Sequence, residues 1–250
     1  MTVALEVAVQ DVAGAVIARE GGADRIELCA ALGATGGLTP SAASISETCA
    51  VGIDVHVLIR TRPGGFVYSD DELDVLAADI AAAVQLGARG VVIGALRPDA
   101  TLDLAGTRRL VDAARTVEQT AGRAVDVTFH RAMDAVADPV AAITALGGLG
   151  VNRVLTSGGA ARAGDGSAVL AALVAADSGV QVMAGGGVDV GSIASIVATG
   201  VHAVHLSAKT TVPDPGATGP GGGTAAALER TDPTTVAAAV AALRAAGGRT

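Results

Sequence analysis

The sequence predicts an α/β fold: a closed (β/α)8 TIM barrel forming a single domain over residues 1–250. Three observations carry that expectation. Short β-branched runs alternate with amphipathic helical patterns along the whole chain, and such alternation implies a parallel sheet with helical crossovers. Eight such runs fit into the 250 residues, the usual size of a closed barrel. The first strand-to-helix turn reads Gln10-Asp11-Val12-Ala13-Gly14-Ala15. It lacks the GxGxxG pattern that an open, doubly wound sheet usually carries there.

The strands are expected at Val3–Val9, Asp24–Cys29, Val55–Arg60, Gly90–Gly94, Val125–His130, Asn152–Thr156, Gln181–Gly185 and His202–Ser207. Helices fill the intervals. In Asp71–Leu86 the apolar set Leu73, Leu76, Ala77, Ile80 and Val84 follows the helical period. Asp138-Pro139 and Asp232-Pro233 read as N-caps followed by proline at the first helical position. Gly21, Gly87, Gly150 and Gly200 mark helix ends. Pro213–Thr224, PDPGATGPGGGT, has no apolar anchor and is expected to be a mobile loop after the eighth strand.

Composition narrows the function. The net charge is −8 and the aromatic residues are Phe66, Tyr68 and Phe129. A basic stripe and stacking platforms are both missing, so no nucleic-acid partner is expected. No apolar stretch reaches the length of about 18 residues that a membrane span needs. No basic segment precedes Glu6 and Asp11, so no signal peptide is expected either. Cys29 and Cys49 fit neither a disulfide framework nor a metal knuckle. The expected setting is cytoplasmic, with reduced thiols.

Strand parity then sorts the side chains, because alternate residues face opposite sides. With the bulky apolar set turned toward the helices, the lumen receives Glu6, Ala8, Glu27, Cys29, His56, Leu58, Arg60, Asp126, Thr128, His130, Ala203, His205 and Ser207. A purely structural barrel fills those layers with aliphatic residues, and polar groups there are costly without partners. Active sites of this fold sit at the C-terminal strand ends, where Arg60, His130 and Ser207 fall. Arg60 and Arg62 are suited to clamping a carboxylate or phosphate. Arg131 and Asp134 follow the fifth strand, Ser157-Gly158 the sixth, and Gly185-Gly186-Gly187 the seventh. Glycines at such turns let backbone N–H groups approach an anion.

The ordered motifs resemble the CutC family, named for copper homeostasis. They are Gly22-Ala23-Asp24-Arg25-Ile26-Glu27-Leu28-Cys29, Gly36-Gly37-Leu38-Thr39-Pro40-Ser41, Ile59-Arg60 with Arg62, and Tyr68-Ser69-Asp70. Thr128-Phe129-His130-Arg131-Ala132-Met133-Asp134, Arg153-Val154-Leu155-Thr156-Ser157-Gly158, Met183-Ala184-Gly185-Gly186-Gly187, His205 and Ser207 complete the set. The resemblance spans residues 3–210. It implies a (β/α)8 barrel, a cytoplasmic homo-oligomer and copper binding. Three departures stand out. Ala8 occupies a place where similar chains often carry Cys. Pro63 and Gly65 alter the loop after the third strand, Gly65 standing where the family has Asp. The Gly-rich loop replaces a basic-aromatic segment after the eighth strand. Cu(I) prefers soft thiolates, so the copper role falls on Cys29, with His56 as its helper.

Two functions follow as expectations. The first is a copper homeostasis protein using Cys29 and His56. The second is an enzyme or binder for a small carboxylated or phosphorylated metabolite, acting as a lyase, isomerase or hydrolase. In it Glu27, His130 and Asp134 do the acid/base work, His130 exchanging the proton. Arg60, Arg62, Arg131, Ser157, Gly158, Gly186, Gly187, His205 and Ser207 hold the ligand. A Zn²⁺ variant of the second takes Glu27, His56 and His130 as ligands with a fourth position open.

Overall fold

The computed structural model describes residues 2–214 and 227–249. Eight parallel strands close into a barrel in chain order: β1 (Ala4–Val9), β2 (Arg25–Leu28), β3 (Asp54–Leu58), β4 (Gly90–Ile93), β5 (Asp126–Phe129), β6 (Arg153–Thr156), β7 (Gln181–Gly185) and β8 (Ala203–Leu206). Pairing of Ala4 with Ala203 and Glu6 with His205 seals the ring. The expected strands are all present; several are shorter at their ends, where the chain already turns into a loop.

The helices are α1 (Val12–Glu20), α2 (Leu32–Thr35), α3 (Ala42–Cys49), α4 (Asp70–Gln85), α5 (Leu104–Ala121), α6 (Pro139–Gly148), α7 (Ser167–Ala175), α8 (Ile193–Val197) and α9 (Pro233–Ala245). Local chemistry starts them. Ser69 and Glu72 form a reciprocal capping box at α4, and Asp70, Asp71 and Glu72 place negative charge in its first turn. Asp138 and Asp232 cap α6 and α9, each with proline just inside. Gly87 and Gly200 follow α4 and α8 with positive φ, where a side chain would be strained. Among the described residues no helix is long and apolar enough to cross a membrane.

The core lies between sheet and helices. Leu5, Val7, Ile26, Leu28, Val57, Val127 and Phe129 are fully buried there, on the face that parity assigned to the helices. Inside the barrel two small apolar clusters remain: Cys29, Leu58 and Val92 near the mouth, and Leu155, Met183 and Ala203 from β6, β7 and β8. The rest of the lumen is polar.

One element was not foreseen. Lys209–Pro213 (β9) pairs antiparallel with Ala227–Thr231 (β10), Lys209 facing Thr231 and Pro213 facing Ala227. Both strands are exposed or half-buried and mostly polar, so they give no alternating signal. Of the loop expected at 213–224, Pro213 closes β9 and Asp214 follows it; 215–224 lie outside the described residues.

Candidate functional site at the barrel mouth

The register builds the lumen in layers. Glu6 is level with Arg25 on β2 and His205 on β8, and Glu27 is level with His56 on β3. Glu6 is 1% exposed. It accepts from the Arg25 guanidinium and lies 2.8 Å from His205 Nδ1. Burial pushes the Glu6 carboxyl upward, but Arg25, His205 and His56 together hold it well below its usual range. Deeper in the barrel, Arg153 donates to Asp126 at 3.2 Å and to Gln181 at 2.9 Å. His56 lies 3.9 Å from both Glu6 and Asp126. Burial and the nearby arginines lower its pKa to about 4, so it is neutral at pH 7.

Above this network lies the mouth. A cavity of about 380 Å³ opens at the C-terminal strand ends, where this fold assembles active sites. Of the expected site residues, Glu27, His205, Arg60 and His130 line it. Arg131, Gly186, Gly187 and Ser207 also reach it, with Lys209 and Phe66 beside them.

Glu27 lies near the His205 level, its Oε2 3.6 Å from His205 Nε2. Burial lifts its pKa to about 7; His205 opposes the rise and Glu6 adds to it. His205 sits between two carboxyl groups. Burial alone would lower its pKa, but the Glu6 hydrogen bond and the charges of Glu27 and Glu6 raise it. Its imidazolium is therefore more favoured than in a free histidine.

His130 differs. Burial and the neighbouring Arg60 guanidinium push its pKa down to about 3. Its Nδ1 accepts the Ala132 backbone N–H at 3.1 Å, so the neutral ring carries its proton on Nε2. That atom is buried without a partner among the described residues. The ring lies flat against Gly94, where any Cβ would collide with it. Phe66 covers it, with centroids 4.5 Å apart. Arg60 lies beside the same phenyl ring, its Cζ 5.3 Å from the centroid. Its Nη atoms donate to the carbonyls of Thr35, Gly37 and Gly64, while Nε has no partner. Buried, unpaired donors are uncommon and costly. Here two of them belong to residues lining one cavity.

Other expected residues stand elsewhere. Arg62 donates to Glu72 and to the Val67 carbonyl, outside the cavity; it staples its loop to α4. Asp134 accepts from the N–H groups of Ser157 and Gly159 and from Arg131 Nε. It shapes the β6 loop and does not line the cavity. The Gly158 N–H donates to Thr156 Oγ1. The N–H groups of Ser157 and Gly158, expected to receive an anion, are thus filled from within.

The expected metal sets do not assemble. Among the described residues no three His, Cys, Asp or Glu side chains converge as metal ligands. Because Glu27 is level with His56, Cys29 stands two residues higher on the neighbouring strand, an offset of roughly 6–7 Å along the strand. Cys29 Sγ instead contacts the Val9 carbonyl at 3.6 Å, inside an apolar cluster. Burial and Glu27 raise its pKa well above the usual thiol range, disfavouring the thiolate that Cu(I) needs. The Zn²⁺ set of Glu27, His56 and His130 does not form either. The residues present do not fit a copper centre at Cys29 and His56.

Parity missed Arg25 and Arg153. Arg25 shares the parity of Glu27, and extending the inward pattern two residues down the strand finds it. Phe66 gave no signal, because nothing in a loop sequence says where its ring will rest.

The fold and this mouth define a class: a (β/α)8 barrel whose C-terminal end holds a pocket lined by carboxyl, imidazole and guanidinium groups. Within it, the chain belongs to the CutC family, whose model matches residues 3–210. A family protein CutC of Xylella fastidiosa (strain 9a5c) is 44% identical over 211 residues, 83% of this chain and 76% of that protein. One from Vibrio vulnificus (strain CMCP6) is 42% identical over 216 residues, 85% and 84%. The crystal structure of the putative copper homeostasis protein CutC from Streptococcus agalactiae superposes with a TM-score of 0.72. It is 30% identical and covers 82% of this chain and 99% of that one.

Proposed function

We propose that this barrel binds a small anionic carbonyl compound in its mouth and moves a proton on the carbon beside the carbonyl. The observation that carries the reading is the pairing, in one cavity, of a buried carboxyl with a buried, unpartnered imidazole N–H. Glu27 titrates near 7, where a group serves as both base and acid at neutral pH. Its carboxylate takes the proton from carbon. The C–H electron pair moves into the carbon–carbon bond, and the carbonyl electrons move onto oxygen. The Nε2–H of His130 is covered in this fold, and it becomes the neutral donor to that oxygen when the ligand displaces the side chains packed on it. Return of the proton to the same carbon gives exchange or epimerisation. In an α-hydroxy carbonyl compound the hydroxyl proton moves to the former carbonyl oxygen, and protonation of the neighbouring carbon gives the isomer. Where the ligand carries a leaving group on the next carbon, the enolate electron pair expels it and the outcome is that of a lyase. His130 thus acts as a donor rather than as the proton exchanger that its residue type suggested, because burial keeps it neutral. Arg60 and Arg131 supply positive charge for the anion.

The copper relation in the family name is not routed through Cys29 here, since the donors there do not fit.

The test is proton exchange. The protein is incubated in D2O with 2-oxo acids and with hydroxy-aldehyde and hydroxy-ketone phosphates, and loss of the C–H signal is followed by NMR. At least one compound exchanges in a protein-dependent way, and Glu27→Gln slows that exchange by roughly 10²–10⁴-fold. Exchange that survives Glu27→Gln unchanged, or no exchange with any compound, would overturn the proposal.

A further inference from the structure

We infer that the ligand of the mouth is a phosphate monoester, its phosphate held by the backbone N–H groups of Gly186, Gly187 and Ser207 between Arg131 and Lys209. The inference rests on the proposed function only in placing the ligand in this cavity. Its starting point is a contrast between neighbouring loops. After β6, the N–H groups of Ser157, Gly158 and Gly159 are all taken by Asp134 and Thr156. After β7 and β8, the N–H groups of Gly186, Gly187 and Ser207 meet no partner among the described residues. Yet these three residues line the cavity.

The glycines have a local reason. Gly186 and Gly187 have φ of +105° and +60°, a region that disfavours side chains. A Cβ on Gly186 would lie 2.7 Å from Arg131 Cζ. A side chain there would have to push the guanidinium aside. Arg131 is oriented by Asp134 through Nε and by Ser157 through Nη2. Its Nη1 has no partner among the described residues. Lys209, at the start of β9, reaches the same cavity while pairing with Glu229.

A second observation points to a ligand independently. His130 Nε2 and Arg60 Nε are buried and unpaired, and both residues line this cavity at about 5% exposure. Two residues of the cavity wall therefore carry unsatisfied donors just behind its surface, in addition to those on the β7 and β8 loops. The loop donors, with two cationic side chains, suit a tetrahedral dianion better than a planar carboxylate, which offers fewer acceptor positions. A phosphate monoester is mostly dianionic at pH 7, and loops after the seventh and eighth strands recur as phosphate sites in this fold. With its phosphate there, the ester can extend its organic part toward Glu27 and His130.

The test uses the ¹⁵N-labelled full chain titrated with inorganic phosphate, then acetate, with KCl matching ionic strength. Phosphate is expected to move the amide signals of Gly186, Gly187 and Ser207 saturably, leaving Gly158 and Gly159 in place. Arg131→Gln and Lys209→Gln should each weaken it about tenfold, the second guarding against loop distortion in the first. No saturable shift, an equal shift with KCl, or equally tight binding of acetate overturns the inference. Phosphate binding without carbon–proton exchange sinks the proposed function alone. Exchange with carboxylates and no phosphate binding sinks this inference alone.

Discussion

Glu27 and His130 are buried residues lining one pocket, and their environments drive them to different roles. A carboxyl lifted to about 7 is a destabilising charge when ionised. Its folded pKa exceeds its unfolded one, so its favourable contribution is complete below the unfolded value near 4.5. That contribution is lost as pH rises through about 7. Glu27→Gln is therefore expected to gain stability relative to wild type as pH rises from 4 to 8.5, by about 3 kcal/mol, a little under half of it between pH 6 and 8.5. Urea melts at several pH values measure it; a difference independent of pH would contradict the burial argument. For His130 the expectation is constancy. Its imidazole ¹⁵N shifts should report the Nε2–H tautomer and no titration between pH 5 and 8, since its pKa is about 3. Parity placed both residues inside the barrel correctly. It could not say that one would titrate near neutral pH and the other stay neutral throughout, because that depends on Arg60, Glu6 and His205 arriving from other strands.

At the scale of elements, the loops do more than the strands to decide the chemistry. Asp134 looked like an acid/base residue beside His130. In the fold it reaches across to the β6 loop and accepts from Ser157 and Gly159. Asp134→Ala leaves those donors unpaired, at roughly 1–3 kcal/mol, and should speed amide hydrogen exchange at residues 157–159 while sparing β6. Protection unchanged at those amides would show that the loop holds itself. The capping box of α4 makes a smaller claim: Ser69→Ala should cost about 1 kcal/mol in a denaturant melt. The caps at Asp138 and Asp232 were legible, since capping is chemistry between near neighbours. The β9–β10 hairpin was not, because its strands bury too little to leave a pattern.

The whole molecule is a closed ring with two unlike interiors, an aliphatic layer beneath the helices and a polar lumen. Phe129, fully buried in the outer layer, anchors it. Phe129→Ala should cost about 3–5 kcal/mol, read as a lower unfolding midpoint with an unchanged slope. The lumen bears on copper. An anaerobic Cu(I) competition titration should show Cys29→Ala indistinguishable from wild type. Stoichiometric tight binding abolished by that substitution would restore a copper centre at this position.

Strand count, barrel closure in chain order, the apolar outer face and the polar lumen follow from the sequence alone. Each depends on periodicity and alternation, which are properties of residues near one another in the chain. The partners of Glu6, the neutrality of His130, the filling of the β6 loop by Asp134 and the separation of Cys29 from His56 were decided by tertiary structure. They depend on the register between strands and on which loop side chains fold back over the mouth. A charge buried on one strand takes its protonation state from groups on others, and no local pattern encodes those distances.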